Sequence, residues 1–280
     1  MAFEGKTAWV TGASSGIGEA LVKELASRGA NVILSARRVD ELKRVAAGLD
    51  ACALILPFEA TDYDALPGMV EKALGWRGGV DFLFNNAGVS QRSLAIDTSF
   101  DVYRRIMEID FFAPLRLTQL VLPSMVEKRS GHIAIVSSVA GKAGVPLRTA
   151  YCAAKHACLG YYDALRAEIE KAYGVGVSVI TPGSVRTAVA SNALTGDGSA
   201  RGRSDENIDN GMAPEKAAAI ILDGIEAGKR EIVVAEGMEL AALQMRLANP
   251  DGLFDFLAEE GARLADARAA GEAPDPKRLN

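Results

Sequence analysis

Seven short stretches of the chain are apolar at successive positions rather than at alternate ones: 7–11, 31–35, 53–57, 80–85, 132–138, 175–181 and 231–235. Such runs read as strands buried on both faces, the situation of parallel strands covered by helices. Between them the apolar positions recur at helical spacing. Helices are expected from the turn after the first strand to about Gly29, over 40–49, to about Trp76, over 99–128, over 149–173 with Thr149 as the cap, and over 214–227 with proline at the start. Pro114 and Pro123 fall inside the 99–128 stretch and predict a kink or a frayed end. Strand and helix alternate strictly, which predicts an α/β fold: one doubly wound parallel sheet of seven strands with helices on both faces.

The whole chain, 1–280, reads as a single domain with its core over about 3–240. Segment 190–211 is polar, glycine-rich and without period, and is expected to be a lid or binding loop, or disordered. A helical extension follows over 238–270, split by Asn249-Pro250-Asp251-Gly252. Leu240, Leu243 and Leu247 share one helix face; Leu253, Phe254, Phe256, Leu257 and Leu264 mark another. The tail, 271–280, is expected to be loose.

Composition narrows the function classes. Of 280 residues 49% are hydrophobic, enough for a sizeable core, and the net charge of −5 is spread without a basic stripe, which argues against a nucleic-acid footprint. Cys52, Cys152 and Cys158 form no metal or redox motif and read as buried thiols in a reducing compartment. No apolar run reaches the roughly 18 residues of a membrane span, and the N-terminus enters a strand directly, so a cytoplasmic protein without a signal peptide is expected.

Two stretches carry chemistry. The first is Thr11-Gly12-Ala13-Ser14-Ser15-Gly16-Ile17-Gly18, a G-x-x-x-G-x-G turn between a strand and a helix. There Gly12 permits a tight turn, Gly16 lets backbone approach a pyrophosphate and Gly18 lets helix and strand pack closely; the helix N-terminus offers free N–H groups. A merely tight strand–helix turn is the plainer alternative. The second strand ends Ser35-Ala36-Arg37-Arg38. Where an acid would bind a ribose 2′-hydroxyl stands Ala36, and Arg37 and Arg38 suit a 2′-phosphate, so NADP(H) is favoured over NAD(H). The alternative is a pair of solvated arginines opening a helix.

The second stretch begins at Ser138. Tyr151 lies thirteen residues on, and Lys155 four further, sharing a helix face with it. A hydroxyl, a phenol and an ammonium would then meet at one strand end. A free tyrosine, pKa about 10, is a poor acid or base near neutrality, and an adjacent ammonium favours its phenolate. The set suits proton transfer at an alcohol or carbonyl oxygen. A half-buried tyrosine and a solvated lysine on an ordinary helix remain the alternative for this pair taken alone.

Taken in order, these motifs, with Asp62, Asn85-Asn86-Ala87-Gly88 and Pro182-Gly183 with Thr187, resemble the single-domain short-chain dehydrogenase/reductase family, a Rossmann-type fold, over about residues 3–240. Residues 131–160 are similar to its branch of membrane-anchored carbonyl reductases, whose N-terminal anchor is not expected here. The resemblance implies NADP(H)- or NAD(H)-dependent interconversion of an alcohol and a carbonyl. Tyr151 would be the acid/base, Lys155 would assist it and bind the nicotinamide ribose, and Ser138 would orient the carbonyl. Gly12, Ser14, Ser15, Gly16, Ile17 and Gly18 would line the pyrophosphate turn. Arg37, with Arg38, would meet the 2′-phosphate, and Asp62 the adenine. Asn86, Ala87 and Gly88 would pass along the adenosine side, and Pro182, Gly183, Val185 and Thr187 would hold the nicotinamide amide; Thr187 equally suits a helix cap. Where the family has an asparagine in the long helix this chain has Asp110, which, if ionised beside Lys155, would shift the pH optimum. Val145, Val189 and Leu194 suggest an apolar pocket wall and an apolar small-molecule substrate. A homodimer or homotetramer is implied, and no metal. A cofactor-binding regulator or redox sensor without turnover is the rival reading, and an intact Ser138/Tyr151/Lys155 set speaks against it.

Overall fold

The apolar runs fold as seven parallel strands: β1 (Thr7–Thr11), β2 (Asn31–Ser35), β3 (Ala53–Ile55), β4 (Phe82–Asn85), β5 (Gly131–Val136), β6 (Val175–Pro182) and β7 (Glu231–Val234). They form one sheet in the order β3-β2-β1-β4-β5-β6-β7. This is a computed structural model, and it describes residues 2–273 and 275. Helices α1 (Gly16–Ser27), α2 (Val39–Ala47), α3 (Leu66–Gly75), α4 (Phe100–Met107), α5 (Ala113–Lys128), α6 (Thr149–Tyr173), the short α7 (Glu206–Asp209), and α8 (Pro214–Glu226) connect the strands. The chain moves outward one way through β2 and β3, then returns past β1 to β4. That reversal parts the loops after β1 and β4 and opens a crevice at the carboxyl ends of the strands.

Unbroken apolar strands are needed because successive side chains go to opposite helical layers. Val10, Val32, Leu34 and Val136 join Leu21 and Leu25 of α1 and Ile221 and Leu222 of α8 on one face. Trp9, Ile33, Ile133 and Ile135 join Val121 and Met125 of α5 and Tyr162 and Leu165 of α6 on the other. Each fully buried aliphatic side chain contributes about 1.5–3 kcal/mol relative to exposure. Trp9 is wholly buried, so its indole N–H needs an acceptor, which Ser35 Oγ supplies at 2.8 Å. A second buried polar knot seats α6: Tyr162 Oη lies 2.8 Å from Thr118 Oγ1, accepts from Asn85 Nδ2 at 3.1 Å and donates to the Pro114 carbonyl at 3.2 Å.

The expected kink in the 99–128 stretch is a π turn, Glu108–Phe112, between α4 and α5. Pro114 has no N–H to give to the Asp110 carbonyl four residues back. The Cys158 thiol of α6 takes that carbonyl instead, at 3.2 Å. Pro123 stays within α5. Thr149 is not the cap of α6: Arg148 holds that position, and Thr149 Oγ1 instead meets Tyr103 Oη at 2.8 Å. Cys52 is exposed rather than buried, with Arg77 donating to its sulfur at 2.8 Å; Cys152 and Cys158 are buried.

Segment 190–211 runs beside the crevice, with Asn192, Leu194, Gly198, Ala200 and Ile208 lining it. Leu194 bridges to Gln91 and to Ala200. Asp205 is buried and pairs with Arg92 at 2.6 Å, with Arg201, and with Arg148 at 3.6 Å. Burial alone would raise the Asp205 carboxyl, but Arg92 and Arg201 outweigh it and hold it below its ordinary range. Burial and the charge of Arg148 push Arg92 down to about 10.

The extension forms α9 (Gly237–Ala248) and α10 (Pro250–Ala269), broken where Asn249 Oδ1 accepts from the Gly252 N–H at 3.1 Å. Leu243, Leu253 and Leu264 are buried, whereas Leu240, Leu247, Phe254 and Phe256 of the expected apolar faces are exposed. Arg268 grips Asp97 at 2.7 Å. Of the expected loose tail, 274 and 276–280 lie outside the described residues; Asp275 pairs with Arg201 at 2.6 Å and with Arg203 at 2.7 Å. Among the described residues no helix is long and apolar enough to cross a membrane.

Candidate active site

The crevice is a cavity of about 550 Å³. Its floor is the turn after β1. Gly12 and Gly16 have φ of +66° and +58°, a region that a side chain disfavours. A Cβ on Gly12 would also come within 2.8 Å of Asn86 Nδ2. The turn is tied to the end of β4: Thr11 Oγ1 accepts the N–H groups of Asn86 at 3.0 Å and Ala87 at 3.1 Å, and Asn86 Nδ2 donates to the Thr11 carbonyl at 3.0 Å. Gly18 stands behind, where a Cβ would overlap the Gly12 carbonyl. Ser15 precedes α1 in extended backbone and makes no side-chain cap, so the first-turn N–H groups of α1 have no side chain of their own to satisfy them.

Two arginines border the far end, and they behave differently. Arg38 folds back over the turn and donates to Ser14 Oγ at 3.1 Å and Ser15 Oγ at 3.0 Å. Arg37 is 71% exposed and pairs loosely with Glu59 at 3.4 Å. Asp62 is not in the cavity. It turns to α3, where its Oδ1 accepts from the Ala65 N–H at 3.1 Å, and Phe58, Glu59 and Ala60 line the wall instead. This cradle fits a dinucleotide: glycines where backbone must approach, N–H groups at a helix start for a pyrophosphate, and a cation beside them.

The other end is built from β5 and α6. Ser138 follows β5 in extended backbone; its Oγ accepts from the Ala140 N–H at 3.1 Å and donates to the Pro182 carbonyl at 3.4 Å. Ser137 Oγ donates to the Lys155 carbonyl at 3.0 Å, which locks α6 to the strand end. Tyr151 and Lys155 then face the cavity from successive turns, with Lys155 Nζ 5.5 Å from the Tyr151 ring centre. Lys155 is buried, donates to the Val136 carbonyl at 3.1 Å and lies 3.2 Å from Asp110 Oδ2.

Asp110 is wholly buried in the π turn. Its Oδ1 accepts from the Val89 N–H at 2.8 Å. Its Oδ2 is close enough to Lys155 for an ion pair but outside hydrogen-bond alignment. Burial would push the Lys155 ammonium down, yet the charges of Asp110 and Tyr151 outweigh it and hold it above its ordinary value. Burial raises the Asp110 carboxyl, against the pull of Lys155. Cys158 is raised to about 11 by burial, so it stays a neutral thiol on the Asp110 carbonyl.

Of the positions expected from sequence, Gly12, Ser14, Ser15, Gly16, Ile17, Arg37, Arg38, Asn86, Ala87, Gly88, Asp110, Ser138, Tyr151, Lys155, Pro182, Gly183, Val185, Thr187, Val189 and Leu194 line this one cavity. Gly18, Asp62 and Val145 do not; the Val145 N–H instead faces Cys152 Sγ at 3.5 Å. Arg105 and Ile109 line it without having been expected, whereas Asn192 belongs to the 190–211 segment expected to bind there. Arg105 donates to the Gly198 carbonyl at 3.3 Å, a contact with segment 190–211 that no local pattern announces.

Comparison with known proteins bears on the family and on the fold. A sequence model of the family described as short chain dehydrogenase matches residues 6–197. The chain is 38% identical over 270 residues to a dehydrogenase/reductase SDR family protein 7-like of Drosophila melanogaster, covering 94% of this chain and 82% of that protein. It is 37% identical over 263 residues to the dehydrogenase/reductase SDR family member 7B of Bos taurus, covering 91% and 80%. A short chain dehydrogenase/reductase from Burkholderia phymatum, solved in complex with NAD, superimposes with a TM-score of 0.78 at 22% identity over the full length of both chains. One from Burkholderia cenocepacia, solved in complex with NADP, gives 0.76 at 23% identity over 92% of this chain and 99% of that one. These two likenesses speak to the fold.

Proposed function

The chain belongs to the short-chain dehydrogenase family, and on that premise we propose that it uses NADP(H) to interconvert a bulky, apolar alcohol and its ketone or aldehyde. The observation that carries this reading is the meeting of Ser138, Tyr151 and Lys155 at one end of a cavity whose other end is the glycine turn roofed by Arg38.

A bound nicotinamide dinucleotide supplies hydride to the carbonyl carbon, or takes it from the alcohol carbon. The chain's own residues do the rest. Ser138 donates a hydrogen bond to the substrate oxygen and orients it. In reduction Tyr151 protonates that oxygen; in oxidation it removes the hydroxyl proton. The Lys155 ammonium stabilises the phenolate left when Tyr151 gives up its proton. Gly12–Gly18 would hold the pyrophosphate, and Pro182, Gly183, Val185 and Thr187 the nicotinamide end. Preference for the 2′-phosphate rests on Ala36 standing where an acid would select the free hydroxyl, with Arg37 and Arg38 lining the cavity beside it. Val189, Leu194 and Ile109 give the substrate end an apolar wall.

The test is consumption of NADPH against NADH over a panel of bulky and small ketones and aldehydes, with Tyr151→Phe alongside. Turnover with NADPH that the variant loses is the expected result. Turnover with NADH alone would overturn the cofactor assignment. Binding of dinucleotide without turnover across the panel would favour a non-catalytic regulator.

A further inference from the structure

The loop that follows β6 is gripped from outside the sheet's own helices. Glu239, in the first turn of α9, reaches back to it: Oε2 accepts from the Ser184 N–H and Oε1 from the Ser184 hydroxyl, each at 2.6 Å. One planar carboxylate thus satisfies both donors of a single residue. The neighbouring Gly183 is closed in by the same group. A Cβ there would overlap the Glu239 carboxylate and meet Ala235 Cβ at 3.2 Å. The Gly183 N–H donates to the Val234 carbonyl at 3.0 Å, so β7 and α9 hold the loop from adjacent points.

What this loop does gives the grip its meaning. Pro182, Gly183 and Val185 line the cavity, and the Pro182 carbonyl accepts from Ser138 Oγ at 3.4 Å. Ser184 and Glu239 do not line it. Glu239 therefore acts on the site through backbone. An acid in the first turn of a helix has an ordinary explanation in the helix dipole, but this carboxylate spends its hydrogen bonds on another element.

We propose that Glu239 is a positioning residue: its carboxylate clamps residues 182–185 and so sets the nicotinamide end of the dinucleotide site, which makes the C-terminal helices part of the working site. The proposal rests on the dinucleotide reading above.

The experiment is a double-mutant cycle on the full chain with Gly183→Ala, Glu239→Ala and both together, reading the dissociation constant for NADPH by its fluorescence and the unfolding midpoint of each protein. Glu239→Ala should weaken binding about tenfold, the worth of the paired bonds in binding terms. Gly183→Ala should weaken it at least as much, because the new methyl displaces the clamp. In the Glu239→Ala background the same methyl should cost less than about threefold, since only the Ala235 Cβ contact at 3.2 Å then remains to be relieved. Glu239→Gln, which keeps one acceptor oxygen, should fall between; if the alanine variant fails to fold, Glu239→Gln with and without Gly183→Ala carries the cycle. Fold-changes that simply multiply, or a Glu239→Ala protein that binds like wild type, overturn the proposal and leave the dinucleotide reading standing. A wild-type chain that binds neither NADPH nor NADH overturns both.

Discussion

Asp110 is the position where electrostatics can be read most directly as a rate. Asp110→Asn keeps the Oδ1 acceptor for the Val89 N–H and nearly the same volume, so the π turn should persist. What it removes is one negative charge 3.2 Å from Lys155 Nζ. That ammonium lies 5.5 Å from the Tyr151 ring centre. At an effective dielectric of about 20, it attracts a phenolate there by about 3 kcal/mol. A carboxylate one ion-pair length further back cancels up to about 2 kcal/mol of this attraction. Without it, the acidic limb of the pH–rate profile for alcohol oxidation should move to lower pH by about one unit. The assay is initial rate of NADP⁺ reduction by an alcohol from about pH 5 to 10 at constant ionic strength, for wild type and variant, with thermal midpoints to confirm folding. A limb that stays within about 0.2 pH unit of wild type, or moves upward, would refute the reasoning, because it would mean that the Asp110 carboxyl, which burial raises, carries no charge over the working pH range.

Two further outcomes follow from the geometry. Arg38→Ala should weaken NADPH binding about ten- to a hundredfold while changing NADH by less than about threefold, and Arg37→Ala should do less, because Arg38 is anchored over Ser14 and Ser15 whereas Arg37 is mostly exposed; equal losses by titration would mean that both arginines share the 2′-phosphate, and a larger loss with Arg37→Ala would put it nearer Arg37. His132 is pushed down to about 4 by burial, opposed by Glu170 and aided by Arg166, against about 6.5 when unfolded. Between those values the unfolded chain takes up a proton that the folded chain refuses, so the stability is full above about pH 6.5 and is lost as pH falls toward 4. Urea unfolding should therefore show about 2 kcal/mol more loss between about pH 7.5 and 5 in wild type than in His132→Gln, and equal losses would count against a buried neutral imidazole.

Much of the fold was legible because its signals are local. Successive apolar positions such as Trp9 and Val10 announce a strand covered on both faces, and the glycine spacing 12-16-18 announces a turn that only small residues can make. Tyr151 and Lys155 face one way because a helix puts residues four apart on one side, whatever surrounds it. Ser138 joins them because a strand feeding that helix must end beside its first turns. The Asp110 substitution was visible as a charge in the long helix, and Pro114 as an interruption; that the two are one feature, a carbonyl freed by the proline and taken by Cys158, required α6 to be in place.

What periodicity could not supply is where a side chain goes once the chain has returned to it. Arg37 and Arg38 are neighbours in sequence, yet one reaches the glycine turn and the other the Glu59 carboxylate, because the start of α2 points them apart. Asp62 serves α3 and Glu59 the cavity wall, a division made by the direction of the chain after β3. Asp205 with Arg92, and Glu239 with Ser184, join residues separated by 113 and 55 positions. No local propensity encodes such pairs, since each partner alone is an ordinary polar residue. Sequence by itself determined the layers, the glycine turn and the grouping of Ser138, Tyr151 and Lys155, for these follow from backbone conformation and burial repeated every few residues. Only the tertiary structure decided which charges meet, because a contact between distant segments exists only where the closed sheet and its packed helices bring two side chains within a few ångströms.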